Sequence, residues 1–209
     1  MDQNNNKRAK RFKKPTRLQL IKILIILGCL LACVAVFLYN NMQQEGYLAD
    51  RSAQDLLKAA QATDAPNTLK PVLSGSTKYP IMAKLTIPKL KLELPVINEY
   101  SDEALKVSVC RYIGPTQPGQ AGNLVIIGHD YKSGAHFGRV GELKSGDTII
   151  LMDTWGKEYT YEVYELKQIT PDDVQSLNIY QGTSAVTLLT CTNNANKRLL
   201  VRCKMVNNP

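Results

Sequence analysis

From Ile23 to Tyr39 the chain runs for 17 residues without a charge, and nearly all of them are Leu, Ile, Val, Ala, Cys or Phe. A run of this kind folds as a helix, because in lipid every backbone polar group must be satisfied within the segment. With Leu18 to Ile21 ahead of it, and Lys22 long enough to carry its ammonium to the interface, it reaches the ~20 residues that a bilayer span needs. Residues 1–22 hold eight Lys/Arg and one acid, Asp2, whereas Gln43-Gln44-Glu45 follows the run. That asymmetry predicts a single-pass membrane helix over 18–39, a basic cytoplasmic tail over 1–17, and the rest of the chain outside the cell. A cleavable signal peptide is the competing reading. The run is long for one, and no small-x-small site closes it. Ile26-Leu27-Gly28-Cys29 and Leu30-Leu31-Ala32-Cys33 look like lipoprotein cleavage strings, yet the apolar stretch continues into Val34-Ala35-Val36-Phe37-Leu38, where a lipoprotein turns polar.

The formal charge of +8 is therefore a property of the tail, since residues 23–209 carry 18 basic and 17 acidic side chains. This removes the main argument for a nucleic-acid-binding surface. After the apolar run, Tyr47 to Ala60 has helical composition, with Leu48, Ala49, Ala53, Leu56, Leu57 and Ala60 near helical spacing. It is expected as a stalk helix or as one packed on the outer domain. Residues 61–80 hold Pro66, Pro71, Gly75 and Pro80 and read as linker, so residues 40–78 are expected as an extracellular stalk and residues 79–209 as the folded domain.

From Ile81 onward the pattern is β-rich. Strands are predicted at Ile81–Ile87, Leu92–Ile97, Asn123–Gly128, Thr148–Asp153, Thr160–Ile169, Val186–Cys191 and Arg198–Val206. Ser101–Val109 begins like a helix, with Ser101 as N-cap and acids in the first turn. Pro171–Leu177 suits one further short helix. Seven or eight short strands with few helices suggest a closed barrel, which leaves no edge exposed.

Three residues at strand ends carry the chemistry. Cys191 closes the run Ala185-Val186-Thr187-Leu188-Leu189-Thr190, His129 follows Leu124-Val125-Ile126-Ile127-Gly128, and Arg198 opens the last strand. A thiolate is the reactive form of cysteine, and a nearby imidazolium favours it. The imidazolium can then protonate a departing amine. An arginine stays charged and can donate hydrogen bonds to an oxyanion. Each residue has a plainer reading: a buried structural thiol, a structural histidine, an ordinary strand-edge cation. Arg202 shares a strand face with Arg198. His136, the second of two histidines, is expected at the surface or next to a substrate.

Thr187-Leu188-Leu189-Thr190-Cys191 resembles the TLxTC signature of sortases, the cysteine transpeptidases of Gram-positive cell surfaces. His129 and Arg198 match the other two members of the sortase triad, in the family's order, and the similarity runs from about Ile81 to Val206. The resemblance implies a closed eight-stranded β-barrel and cleavage of an LPxTG-like sorting signal through a cysteine thioester. The acyl group then passes to an amine of a cell-wall precursor or a pilin lysine. His129, Cys191 and Arg198 become the catalytic residues, and Arg198 is favoured over Arg202. Thr190 is expected to shape the substrate groove, with Ala104, Leu105, Ile169 and Val186 as walls. The implied partners are surface proteins bearing the sorting signal, the amine acceptor, and membrane lipid around residues 18–39.

No cofactor or metal is implied, because Asp172-Asp173 alone makes no calcium site. No Asp-Pro-aromatic lid string occurs in residues 40–80, and 16 residues between Ile169 and Val186 leave no room for a long helical insertion. A single-anchor sortase of open subclass is the expectation. The rivals are a cysteine peptidase that hydrolyses the thioester, an L,D-transpeptidase suggested faintly by Cys110-Arg111, and a non-catalytic surface-binding barrel. Five cysteines are present. Cys29 and Cys33 are expected to pack as small apolar residues, Cys191 is the free thiol, and a Cys110–Cys203 disulfide is conceivable.

Overall fold

A computed structural model describes residues 16–61, 79–178, 182–192 and 196–207. Residues 1–15 of the basic tail and residues 62–78 of the linker lie outside the described residues. The first element, α1, is a helix over Arg17–Gln61. It opens on a reciprocal capping box: the Gln19 amide donates to Thr16 Oγ1 at 3.4 Å and the Thr16 amide to Gln19 Oε1 at 2.9 Å. The helical segments expected on either side of residues 40–46 are therefore one helix. Among the described residues it is the one helix long and apolar enough to cross a membrane.

The chain divides into two compact units at Asn41 and Met42. In the first, Leu24, Leu31 and Phe37 are exposed. In the second, residues 42–61 of α1 lie with the strands. Gly46, Ala49, Ala53, Leu56, Leu57 and Ala60 form one buried stripe, at the spacing of an amphipathic helix. Leu56, Leu57 and Ala60 pack with Ile81, Ile97, Ala104, Leu105, Cys110 and Met152. The small residues at the other end permit close approach, and a Cβ added at Gly46 would overlap the Ser133 hydroxyl.

Eight strands follow: β1 (Ile81–Ile87), β2 (Leu92–Ile97), β3 (Val109–Ile113), β4 (Gly122–Ile127), β5 (Thr148–Asp153), β6 (Glu158–Ile169), β7 (Ser184–Cys191) and β8 (Arg198–Asn207). They close a barrel in the order β1-β2-β3-β4-β7-β8-β6-β5. β4 and β7 run parallel, as do β2 and β3. Parallel neighbours need a crossover, and the second helix, α2 (Asp102–Val107), supplies the one between β2 and β3. The barrel interior is filled by Leu85, Leu94, Val96, Leu124, Ile126, Leu151, Tyr161, Leu188 and Val201. The Tyr161 hydroxyl accepts from the Gly119 amide at 2.8 Å and lies 3.2 Å from Ser184 Oγ, so this buried phenol is satisfied.

Strand β3 was not among the predicted strands. The helix signal at Ser101 is real, since its hydroxyl accepts from the Ala104 amide at 3.1 Å. The helix ends at Val107, and Ser108 turns fully extended. Its hydroxyl donates to the Pro95 carbonyl at 2.6 Å, and Val109 then pairs with Val96. The short helix expected over Pro171–Leu177 is a 3-10 turn over Val174–Leu177, capped by Asp173 rather than opened by Pro171. Cys110 and Cys203 are both buried free thiols and belong to different apolar clusters, so the conceivable disulfide is not formed.

Candidate active site

Parity along the strands fixes which side chains share a face. On β7, Val186 and Leu188 point into the barrel core, whereas Leu189 joins a separate cluster with Val125, Ile169, Leu177 and Leu200. Odd positions on β4 and β7 and even positions on β8 therefore face outward. Cys191 and Arg198 fall on that outer face, and His129, two residues past β4, continues its odd series.

Register brings them to one rim. In the parallel ladder Val125 lies opposite Thr187 and Ile127 opposite Leu189. The strands stay together beyond it: the Gly128 amide donates to the Leu189 carbonyl at 3.0 Å, and Thr190 Oγ1 to the Gly128 carbonyl at 2.7 Å. The next outward pair is His129 and Cys191. On the other side Cys191 is the direct cross-strand partner of Arg198, and Arg198 is also the partner of Ile169. Adjacent strands lie about 4.8 Å apart, so Cys191 and Arg198 stand side by side and His129, two residues past the end of β4, follows next to Cys191; all three are partly exposed. Burial lowers the His129 imidazole below its ordinary range, with a smaller push from Lys106. A groove of about 620 Å³ borders His129, walled by Glu45, Leu48, Ala49 and Ser52 of α1, Lys106 and Val107 of α2, and Asp130 and Tyr131.

The expected groove residues separate. Thr190 is 3% exposed, and its hydroxyl holds the turn just before His129. Ile169 lies beside Arg198 on the rim. Ala104 and Leu105 are buried in the cluster beneath α1, and their neighbours Lys106 and Val107 are the α2 residues at the groove. Val186 is 0% exposed in the barrel core; it stands on the face opposite Cys191 and cannot wall an outer groove. Lys106, Val107, Asp130 and Tyr131 were not singled out from the sequence. For Tyr131 the available signal was an aromatic two residues beyond the histidine. Among the described residues no cluster of three His, Cys, Asp or Glu side chains could hold a metal.

His136 is not at the surface, the first of the two positions expected for it. It is 0% exposed, and its φ of 49° is left-handed, a region histidine enters more readily than most residues. Burial lowers its imidazole to about 4. The unfolded chain, titrating near 6.5, then binds a proton that the native state refuses between pH 6.5 and 4. The stability contributed by neutral His136 is complete above pH 6.5. It falls as the pH drops toward 4, by roughly 3 kcal/mol at ~1.4 kcal/mol per unit. Melting temperatures at pH 7.5 and 4.5 should therefore differ more for the wild type than for His136→Asn, which tolerates the same backbone and does not titrate. Equal shifts would contradict this linkage.

The chain matches the family model of the sortase domain over residues 85–206. It is 27% identical to sortase A of Bacillus anthracis over 186 residues, covering 81% of this chain and 87% of that protein. With sortase D of Bacillus subtilis (strain 168) it shares 32% identity over 127 residues, covering 58% and 62%. Among solved structures, a Clostridium perfringens sortase D5 transpeptidase aligns with a TM-score of 0.60 at 21% identity, covering 76% of this chain and 99% of that one. Sortase C1 of Streptococcus suis aligns with a TM-score of 0.57 at 26% identity, covering 62% and 74%. The sortase-domain match spans more than half of the chain, and sortases are cysteine transpeptidases. The chain belongs to the sortase family.

Proposed function

We propose that this sortase is a membrane-anchored enzyme that cuts an LPxTG-like sorting signal and joins the acyl fragment to an amine of the cell wall or a pilin. In this reading residues 18–39 span the membrane with the basic N-terminus inside, and the barrel works outside the cell. The observation that carries it is the line of His129, Cys191 and Arg198 on one rim and one face of β4, β7 and β8.

The chemistry follows from that line. Neutral His129 takes the Cys191 thiol proton, and the thiolate adds to the carbonyl carbon before the scissile bond. Arg198 donates to the resulting oxyanion. The tetrahedral adduct collapses by breaking the C–N bond, and the His129 imidazolium gives its proton to the departing amine. This leaves a Cys191 thioester. The acceptor amine loses a proton to His129 and attacks the thioester carbon, forming an amide and returning the thiol.

The test is incubation of the protein with an LPxTG-type peptide and an excess of a primary amine, followed by mass spectrometry. The expected product is the peptide cut after threonine and carrying the amine. Only the free acid, at every amine concentration, would make the protein a hydrolase, and intact peptide throughout would support a binding barrel.

A further inference from the structure

We propose that Tyr131 is a positioning residue for His129, and that buried His136 holds Tyr131 in place. This rests on the reading of His129 as the proton-transfer group. The Tyr131 ring contacts both imidazoles, 5.1 Å from His129 at a 55° tilt and 5.2 Å from His136 at 74°. Both separations fall in the range of favourable ring pairs.

The backbone is built around this stack. Asp130 and His136 form an antiparallel bridge. The Phe137 amide donates to the His129 carbonyl at 3.0 Å, and the Gly134 amide to the Tyr131 carbonyl at 2.9 Å. Gly138 packs so closely that a Cβ there would overlap the Tyr131 carbonyl oxygen. The loop between the two histidines is thus a closed clip that carries Tyr131 near its start.

His136 bears a cost that calls for a reason. It is fully buried, its backbone is left-handed, and its ring nitrogens have only the backbone of Ala49 and Val107 nearby, without well-formed hydrogen bonds to them. A buried polar group with poorly formed hydrogen bonds and a left-handed residue are both unfavourable. What the ring gains is its contact with Tyr131. The aromatic contact with Tyr131 is the side-chain contact that can orient the His129 ring. The charged groups around the stack are Lys106 and Asp102 of α2, Glu45 of α1, and Asp130. None of them requires the phenol oxygen of Tyr131, so the ring itself is the working part.

The experiment compares Tyr131→Phe, Tyr131→Leu and Tyr131→Met in the full-length protein in detergent, with an LPxTG-type peptide and a primary amine. Tyr131→Leu and Tyr131→Met are expected to lower kcat on the order of 10–100-fold, the size of effect a misplaced catalytic group produces, with the KM for the peptide unchanged. Tyr131→Phe should retain most of the rate. Because the chain has only two histidines, NMR titration resolves His129, and losing the ring over it should raise its midpoint toward 6.5. A nuclear Overhauser contact between the His129 and Tyr131 rings in the wild type tests the stack without any substitution. A folded Tyr131→Leu protein with wild-type kcat and His129 midpoint would overturn the proposal. So would a Tyr131→Phe protein as damaged as Tyr131→Leu, or absence of the ring contact. If His129→Ala itself were fully active, the reading of His129 would fall. If His129→Ala were dead and Tyr131→Leu harmless, only the positioning role would.

Discussion

Cys191→Ala is expected to end both peptide cleavage and amine transfer in a protein that keeps its wild-type melting temperature. No thioester can form without the thiol. Cys191 sits partly exposed on the outer rim rather than in the core, so its removal leaves no cavity. The contrast lies within the same domain. Cys110 is enclosed and its thiol is pushed up to about 12, and Cys203 is enclosed and pushed upward too, in both cases by burial. Neither offers a thiolate at neutral pH, so Cys110→Ala and Cys203→Ala should lose stability and retain transfer. Peptide mapping after brief iodoacetamide treatment should find Cys191 modified well before either of them. Activity that survived Cys191→Ala and vanished with Cys110→Ala would move the nucleophile to β3 and dissolve the site described above.

How much of this could be read from the residues depends on how each strand is buried. β4 and β7 are covered on both faces, inside by the barrel core and outside by Ile169, Leu177 and Leu200. Their sequences are accordingly continuous apolar runs and were recognisable as strands. β3 has five residues with Arg111 and Tyr112 among them, and it follows a genuine helix cap, so the helical pattern masked it. The rim residues were legible because a strand end fixes where Cys191, His129 and Arg198 stand. The groove walls were not, because they come from α1 and α2, whose placement is set by tertiary packing. Val186 is a different kind of miss. A period of two puts it on the face opposite Cys191, so the strand pattern alone was enough to exclude it. His136 looked like a loop histidine because nothing local signals that Ala49 of α1 covers it.

Arg198→Lys is expected to lower kcat on the order of 10²–10³, the usual effect of losing an oxyanion donor. Lysine keeps the charge and loses the planar fork that aims several N–H groups at once. Arg202 is the internal control, because it stands four residues along β8 on the same outward face. Its structural commitments differ. Arg202 Nη1 donates to Glu165 Oε2 at 2.8 Å and Nη2 to the Ser176 carbonyl at 2.6 Å, and the side chain is only 12% exposed. It ties β8 to β6 and to the turn at Val174–Leu177. Arg202→Ala strands that carboxylate and carbonyl, which should cost roughly 1.5–3 kcal/mol of stability while most of the rate remains in the folded fraction. Arg198, by contrast, stands at the strand start with Cys191 and Ile169 as its cross-strand partners, where a substrate carbonyl on the thiol would come within its reach. The two substitutions should therefore separate, one in kcat and the other in melting temperature at nearly constant kcat. A folded Arg202→Ala enzyme without activity, beside a fully active Arg198→Ala, would transfer the oxyanion role to Arg202 and show that the rim is not where the negative charge develops.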